Sequence, residues 1–191
     1  GWYYPNIDLI VVMHYYGITQ DDVEIKMGQH IRLKNLPAEK MAKPNNKREI
    51  FIPIDEYGFM DVNFIGGSGS FQHYPYYLFA NEGTMEGNTS LKDKILLIAA
   101  YSATGIATDE KKSPYGATFG IEHHANALNT ILNQDFLYKL SDFQNIMIML
   151  VIAIFLGLIV PKLSIVISLV VTSIFIISYA ICSYLLFDIS S

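Results

Sequence analysis

Glu122, His123, His124 and Asn126 stand in one short string, and Asp109 lies in the polar stretch just upstream. Carboxylate and imidazole are metal-ligand types. Read as extended chain, Glu122 and His124 project to the same side, two residues apart. Such a set could hold a metal, with Glu122, His123 and His124 as candidate ligands, or a small anion at a helix start. It could equally bind an organic ligand, form a contact between two copies, or cap a helix beginning near Ala125. The spacing is not that of a Cys/His zinc site. No cofactor is implied, and no nucleophile-elbow motif groups the Ser, His and Asp residues, so the chain is not read as an enzyme. The Gly-rich run 66–70 lacks nucleotide-loop spacing and a following Lys-Ser/Thr, and reads as a turn or loop. The aromatics in 71–79 could line a pocket, or serve as core or membrane contacts.

These residues need elements to position them. Segment 6–16 (NIDLIVVMHYY) is too short to span a membrane and reads as a buried helix or strand closed by Gly17. Segment 21–28 alternates, with Val23, Ile25 and Met27 on one side. It reads as a strand, paired in a hairpin with 29–33. Segment 49–54 is strand-like, with Pro53 confining it to an edge or strand end. Asp55-Glu56-Tyr57-Gly58 is turn chemistry. Segment 59–65 (FMDVNFI) alternates and predicts another strand. The continuous apolar run 95–100 predicts a central, doubly buried strand. A loop is expected over 101–119, then a strand end passing into a helix with Ala125, Leu128, Ile131 and Leu132 on one face. Strand, long loop and helix make an α/β arrangement, with ligands expected beyond the strand carboxyl ends.

Composition separates two materials. The 191 residues carry a net charge of −5, with 51% hydrophobic and only 16% charged residues. Nearly all the charge precedes Asp142. The basic cluster of Lys43, Lys47 and Arg48 reads as a solvated loop, so no nucleic-acid partner is expected. Cys182, the single cysteine, reads as a small apolar residue. The stretches 143–161 and 163–187 contain no charge. As helices they reach roughly 28 Å and 37 Å, against a hydrocarbon core of roughly 30 Å. Pro161-Lys162 makes a tight joint, so a transmembrane helical hairpin is expected. Lys162 places that turn in the cytoplasm and residues 1–142 outside it. The expected organisation is a domain over 1–140, spans at 143–161 and 163–187, and a linker at 188–191 leading to a further span. The opening Gly1 reads as the middle of a longer protein.

Several strings line up with one family. They are Ile52-Pro53-Ile54-Asp55-Glu56-Tyr57-Gly58, Val62-Asn63-Phe64-Ile65-Gly66, Leu91-Lys92-Asp93-Lys94-Ile95-Leu96-Leu97-Ile98 and Gly120-Ile121-Glu122-His123-His124-Ala125-Asn126-Ala127-Leu128. Together they resemble the type-two CHASE domain, the extracytoplasmic sensory domain of bacterial membrane receptors. Here His123 stands where the family has isoleucine, and Ala99-Ala100 where it has a glycine. The resemblance covers roughly 8–187 and only the later part of the family's domain. It implies an α/β extracytoplasmic sensory domain, N-terminally truncated, followed by a transmembrane helical hairpin in the inner or plasma membrane. Glu122, His124, Asn126 and Asp109 become candidate ligand-binding residues for an unknown small molecule or protein. A homodimer is implied, as is a cytoplasmic output: a class III adenylate or guanylate cyclase, or a histidine or Ser/Thr kinase. Without the resemblance, a structural or assembly role, or a membrane-bound enzyme, remains open.

Overall fold

The computed structural model describes residues 4–75, 94–99, 109–139 and 141–190, with backbone only for 182, 183 and 185–190. The chain divides into two compact units, Gly1–Phe136 and Leu137–Ser191.

The first unit begins with helix α1, Ile7–Tyr16. Asn6 caps it, its Oδ1 accepting from the Leu9 amide at 2.9 Å. Gly17 closes it in the left-handed region at φ 72°, donating to His14. Asp8, Leu9, Val12 and Tyr16 form its buried side. Three antiparallel strands follow: β1 (Val23–Lys26), β2 (His30–Leu33) and β3 (Ile50–Pro53), in the order β1-β2-β3. Their register sets Val23 opposite Leu33 and Leu33 opposite Ile50. Pro53 ends an edge strand, where its missing N–H costs no ladder bond. Val23 is half-buried, but Ile25 and Met27 emerge into solvent toward the hairpin tip.

A second hairpin joins β4 (Glu110–Ser113) to β5 (Gly116–Phe119). It replaces the loop expected over 101–119, of which 101–108 lie outside the described residues. Ser113 Oγ donates to the Gly116 carbonyl and accepts from the Tyr115 amide, closing the turn at Pro114-Tyr115. β5 runs directly into helix α2, Gly120–Asn133. That helix therefore begins five residues before Ala125. The Gly120 amide donates to the Asp109 carbonyl at 2.7 Å, so β4's entry anchors the first turn.

The core lies between the two helices and the inner face of the sheet. Leu9, Val12 and Tyr16 of α1 meet Leu33, Ile50 and Ile52 of the sheet and Leu128 and Ile131 of α2. Val12 and Leu33 are fully buried. Arg32, on the outer face, bridges Glu49 at 2.7 Å and Glu24 at 3.3 Å, with its guanidinium over Phe51.

Two expected strands are absent among the described residues. Segment 59–65 pairs with no strand; the Asn63 and Ile65 amides donate to α2 side chains, and the Phe59 amide to Asp55. Residues 95–99 also have no ladder, and Leu96 and Ile98 are exposed, so the expected doubly buried strand is not formed there; Ala100 lies outside the described residues. The described strands are all antiparallel, which gives a mixed helix-and-sheet architecture rather than a parallel α/β sheet.

The second unit holds helix α3, Asp142–Ile159, a 3-10 turn Val160–Lys162, and helix α4, Ile165–Ser190. Ser141 and Gln144 form a reciprocal capping box at the start of α3. Pro161 sits inside the 3-10 turn, and Leu163 is extended before α4 begins. Phe155 and Phe175 bring their rings within 6.4 Å across the two helices. Among the described residues, Asp142–Lys162 is the one helix long and apolar enough to cross a membrane, and none of it is buried inside the chain. The described apolar part of α4, Ile165–Ile181, is shorter than such a span.

Candidate functional site

The first turns of α2 carry the candidate residues, and the helical conformation separates what an extended chain would have aligned. Residues two apart on a helix lie about 200° apart around its axis. Glu122 and His124 accordingly address different elements. Neither caps a helix at Ala125, because both lie inside α2.

Glu122 is 2% exposed in the first turn of α2, where the helix dipole favours a carboxylate. Its Oε1 accepts from the Gly69 amide at 2.6 Å and lies 3.7 Å from His73 Nε2. The 66–70 run is thus held on the helix by a buried carboxylate. The run itself is tightened by Ser70, whose amide and hydroxyl both donate to the Gly67 carbonyl. Gly69 sits at φ +87°, a conformation that disfavours any side chain.

Asn126, one turn on, is also 2% exposed. Its Oδ1 accepts from the Ile65 amide at 3.0 Å, and its Nδ2 donates to the Glu122 carbonyl at 2.8 Å. Thr130, a further turn on, is fully buried. Its hydroxyl accepts from the Asn63 amide at 3.1 Å. The single hydroxyl proton lies between the carbonyls of Asn126, at 2.8 Å, and Asn63, at 3.2 Å. Glu122, Asn126 and Thr130 thus form an i, i+4, i+8 row along which the 63–69 segment runs antiparallel to α2. The match has a simple metric. Four helical residues rise about 6 Å. Two extended residues rise about 6.6 Å. The step from Thr130 to Asn126 therefore matches the two residues from Asn63 to Ile65, while the step to Glu122 spans four residues, Ile65 to Gly69, because the chain turns at 67–69.

His124 turns to α1. Its Nδ1 lies 2.8 Å from Asp8 Oδ1, and Asp8 is almost buried in the first turn of that helix. His123 sets its ring edge-on to Phe64 at 5.0 Å, and its buried Nε2 has no hydrogen-bond partner among the described residues. Asp109 pairs with Lys111 at 3.2 Å, and its carboxylate lies against Gly120, where an added Cβ would fall 2.6 Å from its Cγ. Glycine is what lets that carboxylate approach the helix start.

The sequence-predicted residues are therefore neighbours on one helix start, but their side chains diverge. Glu122 and Asn126 go to the 63–69 segment, His124 to α1, His123 to Phe64 and Asp109 to the β4 side. Among the described residues, no group of three His, Cys, Asp or Glu side chains converges as a metal site. Sequence reasoning passed over Thr130 and Asp8. Thr130's signal was its place four residues beyond Asn126, as Asn126 is four beyond Glu122; Asp8 gave none, because only packing brings it to His124. Of the aromatic stretch 71–79, residues 76–79 lie outside the described residues, as do 91–93 before the apolar run.

Away from α2, Tyr4, Pro5, Ile10, Met13, His14 and Ile18 line an open groove of about 420 Å³ along α1.

The chain thus carries a mixed helix-and-sheet domain, with its Gly-rich segment bonded to the start of α2, and a long unburied apolar helix. The family model described as the CHASE2 domain matches residues 3–159, and the chain belongs to that family. CHASE2 domains are extracytoplasmic sensory parts of membrane receptors. The match runs through α3, so the apolar helix falls within the family's pattern. No curated protein and no solved structure matches the chain.

Proposed function

We propose that this chain is the extracytoplasmic sensing and membrane-crossing region of a bacterial receptor. Unit Gly1–Phe136 senses, α3 and α4 both cross the membrane, and the Lys162 turn lies in the cytoplasm. The observation that carries the reading is the CHASE2 match continuing into a helix that is apolar, long enough to span and unburied. A core helix of a soluble domain would be covered by the rest of the chain. In this reading α2 is the relay. Glu122 and Asn126 tie its start to the 63–69 segment, His124 to α1 and Asp109 to β4, so a ligand that shifts any one of them biases the others. Two states of unequal ligand affinity are all the mechanism needs. The output we propose, on the family resemblance, is a cytoplasmic class III adenylate or guanylate cyclase controlled by a receptor dimer, with a histidine or Ser/Thr kinase as the alternative output.

Topology is the direct test. In a Cys182→Ser background, Tyr57→Cys should react with a membrane-impermeant maleimide in intact cells. Lys162→Cys should react only after permeabilisation. Labelling of both in intact cells, or of neither, would overturn the topology. Coupling is tested in the full-length receptor by inserting Gly/Ser residues at Ser141. The insertion should abolish output while ligand binding persists, and unchanged signalling would defeat the relay.

A further inference from the structure

The 63–69 segment is held on the fold by helix side chains and not by a strand ladder. A strand in a sheet shares its ladder with another backbone, so it cannot leave without breaking the sheet. Here three side chains of one helix supply the contacts: Thr130 to Asn63, Asn126 to Ile65 and Glu122 to Gly69. All three side chains belong to α2, whose own backbone ladder is complete without the segment. Two of the acceptors are also fixed on the helix, Asn126 Nδ2 donating to the Glu122 backbone carbonyl and Thr130 Oγ1 to the Asn126 backbone carbonyl. Losing one bond to the segment leaves a buried polar group on α2 short of a partner, and the three amides lie within seven residues of one chain, which favours release of the whole row together. The far end is a turn with glycines at 66, 67 and 69, and Gly69 is held at a positive φ.

We infer that residues 63–69 form a detachable strap that opens from α2 as one unit while the β1-β2-β3 sheet stays closed. The strap is the part of the sensory unit able to change state without unfolding its core. Its use in signalling rests on the sensory reading above, but its opening does not. Opening exposes Glu122, Asn126 and Thr130, a buried polar row that takes two alternate amides and then the amide of a Gly turn. Thr130 is thereby assigned a positioning role equal to that of Asn126.

Native-state hydrogen exchange on the whole chain in detergent micelles tests this. In the unmodified protein the amides of Asn63, Ile65 and Gly69 should share one opening, with a denaturant dependence smaller than that of Ile31 and Arg32 in β2. Thr130→Val removes the hydroxyl with little change of shape. It should raise exchange of all three strap amides about tenfold, including Gly69, which Thr130 does not touch, and leave β2 unchanged. Glu122→Gln keeps an acceptor oxygen and should retain more protection at Gly69 than Glu122→Ala. The inference fails if each substitution affects only the amide it bonds. It fails equally if the strap amides of the unmodified protein exchange together with those of β2, a result that requires no variant to fold. Neither failure bears on the labelling test of topology, so the two readings fall separately.

Discussion

In the sheet, Ile31 lies opposite Ile52 and each strand answers its neighbour backbone to backbone. In the strap, the Asn63 and Ile65 amides reach a threonine and an asparagine of a helix. Both regions carry alternating sequences, and both are extended. They differ in what a single substitution can do. A sheet contact is embedded in the core, so its loss is felt by the whole unit. A strap contact to Glu122, Asn126 or Thr130 is made to a helix side chain and not to another backbone, so its loss is felt first by the strap. A segment can thus be held by buried side chains of a helix and still be separable from the fold around it.

The largest expected effect breaks the comparison from the sheet side. Leu33→Ala leaves a cavity at a fully buried position between α1, the sheet and α2. It should cost about 2–5 kcal/mol in urea unfolding. Sheet and strap amides should lose protection together, because the strap cannot outlive the helix it sits on. If the strap kept its protection, α2 would be stable without the sheet.

Alkaline pH loosens the same core through one group. Burial, and secondarily the neighbouring Tyr15, pushes the Tyr16 hydroxyl up from 10.0 to about 12. The folded state holds the neutral phenol, so its stability is complete below pH 10 and falls between pH 10 and about 12. The loss should be on the order of 2–3 kcal/mol, from about two pH units at about 1.4 kcal/mol each. Tyr16→Phe should flatten that part of the profile. It should cost little at neutral pH, since the buried hydroxyl has no hydrogen-bond partner among the described residues. A profile as steep in Tyr16→Phe as in the parent would assign the alkaline loss to another group.

Gly69→Ala sharpens the comparison from the strap side. A side chain at φ +87° costs about 1–2 kcal/mol. The strain falls on the strap turn, so exchange at Gly69, Ile65 and Asn63 should rise more than exchange in β2. An equal rise everywhere would show that the strap and the sheet are one cooperative unit.

The smallest effect is expected on the outer face of the sheet. The hydrogen bond from Arg32, with its charge, holds the Glu49 carboxyl below the usual range, and Lys34 does the same for Glu24. Depressed carboxylates contribute stability above their unfolded values near 4.5, and that stability fades as pH falls through the lowered values. These groups are part-buried on the solvent-facing side of the sheet, where water and salt still screen them, so Arg32→Gln should shift the urea midpoint only slightly. It should also shrink the acid-side slope. An unchanged acid profile would show that the Arg32 pairs add nothing.

Local chemistry was legible where it is short-ranged. Asn6 and Gly17 bracket α1, the Met27-Gly28-Gln29 turn sets the β1–β2 register, and Pro53 marks a strand end. The helical start from Gly120 was misplaced to Ala125, because the Glu-His-His run has no strong helix signal and the anchoring bond comes from Asp109, eleven residues upstream. The hairpin at 110–119 was missed because Lys111 and Lys112 look like loop, while its turn rests on Ser113.

By itself the sequence determined the Gly17 stop, the turns, the alternation of the first hairpin, the uncharged run from Phe143 within α3 and membership of the CHASE2 family. Each depends on residues a few positions apart or on a pattern shared by the whole family. Only the tertiary structure decided that the alternation in 59–65 would be met by a helix, not a strand. It also decided that Glu122 and His124 would serve different neighbours, and that Asp8 and Thr130 would complete the site. The physical reason is that periodicity makes a segment extended or helical. It does not choose the donor and acceptor that will stand opposite, because a buried amide takes whichever acceptor packing brings within 3 Å.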